Sequence, residues 1–185
     1  MTGTRLRSAT VIGCGPTGTS IALALTRAGV DVTLDDSDSW ALDRALRSGA
    51  GTLLLPGGDP ADVVVVATGP STAADVLYEA QARGLGHAYT DVDGTDEAMR
   101  QEILLRGCDQ FAYVPGRPPR VPPTVEPETV TADLFEGRPW LLAPGPATPP
   151  EAVAAVRELV ALCGAIGNTP RVLRTAVEHP GHRAD

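Results

Sequence analysis

The chain has 185 residues, a formal net charge of −8, 43% apolar residues and only 4% aromatic ones. That suits one domain with a core of Val, Leu and Ala, and it excludes wholesale disorder. All 15 basic residues are Arg, which excludes Schiff-base chemistry and a P-loop lysine; the acidic balance argues against a nucleic-acid surface.

Three cysteines, Cys14, Cys108 and Cys163, stand far apart with no CxxC pair. Neither a zinc site nor a disulfide framework is indicated, and buried thiols in a reducing cytoplasm are the expectation. No apolar run is long enough to cross a bilayer, and the first residues lack a signal-peptide core, so neither a membrane nor a metal is expected as a partner.

Strand-like and helix-like segments then alternate. Ala9 to Gly13 is β-rich, and Thr17 to Ala28 reads as a helix stopped by Gly29. Val30 to Leu34 is a strand, Ser39 to Ser48 a helix, and Thr52 to Leu55 a short strand. Asp62 to Ala67 holds four consecutive valines, as suits a strand buried on both faces. Ser71 to Arg83 reads as a helix, Gly86 to Val92 as a strand, Glu97 to Arg106 as a helix and Phe111 to Val114 as a strand. This rhythm predicts an α/β fold, a Rossmann-type doubly wound and mostly parallel sheet.

Residues 115–150 hold most of the prolines and are expected to be mainly extended loop, interrupted by a strand at Trp140 to Ala143. Glu151 to Cys163 reads as the last good helix and Arg171 to Leu173 as an edge strand. The expected organisation is one domain over 1–175 with a polar tail over 176–185.

Gly13-Cys14-Gly15-Pro16-Thr17-Gly18 is a G-x-G-x-x-G between a predicted strand and a predicted helix. Gly13 serves the tight turn, Gly15 the approach to a pyrophosphate, and Gly18 the packing of helix on sheet. Pro16 costs no needed hydrogen bond in the first turn, where Thr17 and its neighbours offer amides to phosphate. Asp36 follows the second strand, placed to accept from a ribose 2′-hydroxyl and to repel a 2′-phosphate. NAD is therefore favoured over NADP, and FAD fits so short a chain less well. Thr68 and Gly69 end the valine strand on the edge where α/β sheets bind ligands. Ser71 is an N-cap candidate for the helix that follows.

Ala132-Asp133-Leu134-Phe135-Glu136-Gly137-Arg138-Pro139-Trp140, the following Leu141-Leu142-Ala143-Pro144, and Thr90-Asp91-Val92 resemble the N-terminal domain of the prephenate/arogenate dehydrogenases. The resemblance runs from about Val11 to about His179. It implies a Rossmann domain using NAD or NADP, in a family that oxidises and decarboxylates prephenate or arogenate by hydride transfer. The chain departs from the family pattern in three places. The histidine of the family's G-G-H-P-x-A-G run corresponds to Arg117, in Pro115-Gly116-Arg117-Pro118-Pro119-Arg120. The family's T-D-V-G-S-V-K becomes Thr90-Asp91-Val92-Asp93-Gly94-Thr95-Asp96, with Thr95 a partial substitute for the serine. The resemblance also implies a C-terminal helical domain that dimerises and completes the substrate pocket, and the expectation is that this sequence stops where that domain would start.

Arginine stays protonated and has no lone pair to accept a proton, so Arg117 cannot replace a histidine base. Arg117 and Thr95 become the catalytic candidates, and Arg117 with Arg120 a candidate anion-binding pair. Asp91 and Asp93 are candidates for an acid/base pair or for helix caps. His87 reads as structural, and Pro180 and Gly181 argue against a metal between His179 and His182. The functional expectation is an NAD-binding, oxidoreductase-like protein acting on a small molecule other than prephenate. One alternative is a repurposed non-redox cyclase, dehydratase or isomerase of specialised metabolism. Another is a non-catalytic module, with a homodimer or partner covering a face left by the helical domain.

Overall fold

The computed structural model describes residues 6–119 and 129–168. In chain order the elements are β1 (Ser8–Ile12), α1 (Pro16–Arg27), β2 (Asp31–Asp35), α2 (Ser39–Arg47), β3 (Thr52–Leu53), β4 (Ala61–Val66) and α3 (Ala73–Ala82). They continue with β5 (Gly86–Asp91), α4 (Glu97–Arg106), β6 (Tyr113–Val114), β7 (Gly116–Arg117), β8 (Pro139–Leu142), α5 (Pro150–Leu162) and β9 (Ile166–Asn168).

The main sheet is parallel throughout, in the order β3-β2-β1-β4-β5-β6. The order reverses between β1 and β4, which opens a crevice at their carboxyl ends. The valines of β4 show how the sheet is layered. Val63 and Val65 pack in one core with residues of α1, α2 and α5, while Val64 and Val66 pack in the other with residues of α3 and α4. All four are buried, as an unbroken apolar strand between two helical layers should be.

Helix termini follow local chemistry. Pro16 opens α1, and Asp38 caps α2 by accepting the Trp40 amide. Asp96 caps α4 by accepting the Ala98 amide, so this role falls to Asp96 rather than to Asp91 or Asp93. Gly107 closes α4 in the left-handed conformation. Helix α3 starts at Ala73, with Thr72 as N-cap, which corrects the expectation that Ser71 caps it. The strand expected from Phe111 is shorter; Phe111 is exposed and β6 begins at Tyr113.

The proline-rich stretch holds the strand expected near Trp140, as β8, and a further short strand, β7. It contributes to a second sheet of order β7-β8-β9, with β7 antiparallel and β9 parallel to β8. Trp140 of β8 is fully buried, its ring 5.2 Å from that of Phe135. Burial of two such rings outweighs the local preference of the prolines around them. Arg120, Arg171 to Leu173 and the tail over 176–185 lie outside the described residues. No helix among those residues is long and apolar enough to cross a membrane.

Candidate functional site: a crevice at the β1–β4 switch point

The glycine loop is held from behind by its own backbone. Gly13 has φ of +106°, and its amide donates to the Asp35 carbonyl at 2.9 Å. A Cβ on Gly13 would lie 2.5 Å from the Ala67 carbonyl carbon. One on Gly18 would collide with the Gly13 carbonyl oxygen. These two glycines are therefore required by the close approach of β1, α1 and the end of β4. Gly15 differs: a Cβ there would meet nothing within 4 Å. Its face opens onto the crevice, and as the N-cap of α1 it leaves the first-turn amides without a side-chain cap. Uncapped amides at the positive end of a helix are an anion site.

Asp36 is tied to this loop. Its Oδ2 accepts the Cys14 amide at 2.5 Å and its Oδ1 accepts the Asp38 amide at 2.7 Å. Each carboxylate oxygen keeps a lone pair for a further donor. The Cys14 thiol between them is pushed up to about 12 by burial first, then by the charges of Asp36 and Asp35. It is a neutral packing group and no nucleophile.

Two cavities meet along the crevice. The outer one, about 560 Å³, is lined by Gly13, Gly15, Asp36, Ser37 and residues of α3. The inner one, about 410 Å³, is lined by Pro16, Thr17, Asp93, Asp96, Arg117 and Pro118. Gly15, Thr68 and Gly69 line both. The Thr68 hydroxyl is buried and makes no hydrogen bond, and a Cβ on Gly69 would meet nothing within 4 Å. The structure thus lines one crevice with seven of the eight candidate nucleotide residues, while Gly18 packs behind it against Gly13 and Ala67.

At the inner end Arg117 Nε donates to Thr95 Oγ1 at 2.5 Å. The two catalytic candidates, far apart in sequence, are direct partners. That bond fixes the guanidinium and leaves its terminal nitrogens for an anion. Asp93 and Asp96 face the same cavity. His87 lies on β5, exposed and away from both cavities. No cluster of metal-ligating side chains occurs among the described residues.

Sequence reasoning missed the support behind Arg117. Asp91 is buried at the end of β5, and its Oδ1 accepts the Gly116 amide at 3.0 Å. Gly94 has no room for a side chain, because a Cβ would collide with the Asp91 carboxylate and the Tyr113 hydroxyl. Burial raises Asp91 to about 7, against the opposing pull of the Gly116 amide and of Tyr113. The Tyr113 hydroxyl lies beside that carboxylate without the alignment of a regular hydrogen bond. The T-D-V run was visible; that Tyr113 would face it depends on the β5–β6 register, which pairs Tyr89 with Tyr113.

A Rossmann sheet with a glycine loop opening its first helix, a free helix start and an acid after the second strand defines a dinucleotide-type crevice. Residues 21–168 match the prephenate dehydrogenase nucleotide-binding domain, and the chain belongs to that family. It is 42% identical over 161 residues to the "Probable prephenate dehydrogenase NovF" of Streptomyces niveus, covering 87% of this chain and 44% of that one. Among solved structures it resembles the Aquifex aeolicus prephenate dehydrogenase crystallised with hydroxyphenyl propionate and NAD+. The TM-score is 0.74 at 17% identity, over 91% of this chain and 61% of that one. Synechocystis arogenate dehydrogenase gives a TM-score of 0.72 at 18% identity, over 88% and 59%. The chain spans less than half the length of NovF and about three fifths of these enzymes.

Proposed function

We propose that this chain binds NAD in the β1–β4 crevice and serves hydride transfer on a small anionic molecule other than prephenate. The observation that carries the reading is the pairing of a nucleotide crevice with an immobilised arginine at its inner end. Bound NAD supplies a hydride acceptor, or as NADH a donor. The protein's residues do the rest. The Gly13–Gly18 loop and the amides from Thr17 onward hold the pyrophosphate, Asp36 takes the ribose hydroxyls, and Thr68 and Gly69 border the inner ribose.

Arg117 stands where the family resemblance places a histidine. It has no lone pair, so its role is to bind and orient an anionic group while Thr95 fixes its plane. Its charge also suits it to stabilise an oxyanion, which a proton-abstracting base does not do. Replacing a general base in this way costs on the order of 100- to 10,000-fold in a reaction that needs one, which is why prephenate is set aside. The three buried free thiols suit a reducing cytoplasm, and exposed Leu104, Leu105 and Phe111 suit a second copy or a partner protein.

Calorimetric titration with NADH and then NADPH tests the reading. Micromolar NADH binding with weaker NADPH binding is expected. Absence of binding by both would overturn it and leave the fold as a scaffold.

A further inference from the structure

Asp91 touches neither cavity, yet two segments that build the inner one converge on it. Its Oδ1 holds the amide of Gly116, the residue before Arg117. The Gly94 amide, the residue before Thr95, donates to the Gly116 carbonyl at 3.1 Å. Gly94 itself packs its bare Cα against the Asp91 carboxylate and the Tyr113 hydroxyl. The Arg117–Thr95 contact therefore spans two backbones that are clamped together one residue upstream, around a single buried carboxyl group.

We propose that Asp91 is a positioning residue whose carboxyl group, bonded to Gly116 and wedged against Gly94, holds Arg117 on Thr95 and passes its own protonation state to that pair. When ionised, the carboxylate can only accept, and its charge draws the Gly116 amide toward Oδ1. When protonated, Oδ1 still accepts, but the charge that strengthens the bond is gone and the carboxyl can donate. A charge-assisted bond is about twice as strong as a neutral one, so the clamp tightens as Asp91 ionises.

The groups that face Asp91 are few. Tyr113 comes from β6, Asp93 from the turn after β5 and the Gly116 amide from β7. Arg100 of α4 and Cys108 act on Tyr113. Burial keeps both Tyr113 and Cys108 protonated through neutral pH. Asp91 is then the group in this cluster that changes charge near neutrality, with burial as the main cause.

The test is the Arg117 Nε–Hε signal in 15N-correlated NMR spectra of the full chain, assigned by its loss in R117K and followed from pH 5.5 to 8.5. In the native protein the signal is expected to be protected from exchange and to shift with one midpoint near neutrality. In D91N, which keeps an acceptor for Gly116, it should stay protected and stop shifting. In D91A its exchange should speed by about tenfold, as for loss of one hydrogen bond of ordinary strength. A D91N signal that still titrates, or a D91A signal as protected as the native one, overturns the proposal. Should D91A fail to fold by circular dichroism, D91N alone decides. The proposal concerns the pair that the functional reading places at the substrate end. NADH titration of the same samples reads the nucleotide site separately, so the two failures are distinguishable.

Discussion

The Asp36 carboxylate sits 2.5 Å from the Cys14 amide, so the acid proposed to take the ribose also braces the loop proposed to hold the phosphates. The two halves of the nucleotide site are mechanically one. Replacing Asp36 by Asn keeps the shape but removes the charge. Charge-assisted hydrogen bonds contribute about 1.5–3 kcal/mol, so D36N should weaken NADH binding by roughly 10- to 100-fold. It should also narrow the gap between NADH and NADPH, because the repulsion of a 2′-phosphate goes with the charge. Calorimetry with both nucleotides reads the two effects together, and unchanged NADH affinity would contradict the assignment.

The loop glycines should separate folding from binding. Gly13→Ala places a methyl group 2.5 Å from the Ala67 carbonyl carbon at a positive φ, so a thermal melt should show a large loss of stability. Gly15→Val meets no protein atom at its Cβ and should melt like the native chain, while filling the space in front of the α1 amides. Nucleotide binding should vanish in the second variant with the fold intact. A destabilised G15V would show that the crevice is narrower than its geometry indicates.

Burial lifts Asp91 from its ordinary value of 3.8 to about 7, so the folded protein holds that proton more tightly than the unfolded chain does. Its contribution to stability is present in full below about pH 4 and declines as pH rises through 7. D91N removes this dependence. The difference in melting temperature between D91N and the native chain should grow in favour of D91N from pH 5 to pH 8. A constant difference would mean that Asp91 keeps an ordinary carboxylate pKa.

Trp140 joins the second sheet to the first. It is fully buried against Phe135, and truncating a buried Trp to Ala costs about 3–5 kcal/mol. Urea denaturation of W140A should show that loss. Because β7 pairs with β8, the Arg117 Nε–Hε signal should also lose protection in conditions where the main sheet stays folded. Retained protection would mean that Arg117 is held from β5 alone.

The main sheet was legible because its signals are local. The valines of β4, the glycine loop and the stop glycines each act within a few residues, and the parallel fold follows from their order. That most of the candidate nucleotide residues would share one crevice was legible for the same reason. Of the second sheet only the strand at Trp140 was legible; β7 and the sheet as a whole were not, because prolines argue for loop locally while Trp140 and Phe135 gain their burial only from a distant face. Arg117 and Thr95 were each visible as departures from a pattern, but their contact depends on the pairing of Gly94 with Gly116. Asp91 was readable as an acid after a strand, and its burial beneath Tyr113 was not.

The central position of β1 also sets an order of events during folding. Its edge toward β4 is held in part by Asp62, whose carboxylate takes the amides of Arg7 and Ser8 across 55 and 54 residues of chain. Pairing of such long sequence separation must first meet the entropy of closing the loop, and it is slow. A growing chain that has emerged only as far as Leu53 carries the whole glycine fingerprint and Asp36, yet it lacks the wall formed by Ala67, Thr68 and Gly69. The β1–β4 crevice is therefore complete only when the valine strand arrives and not when the motif does.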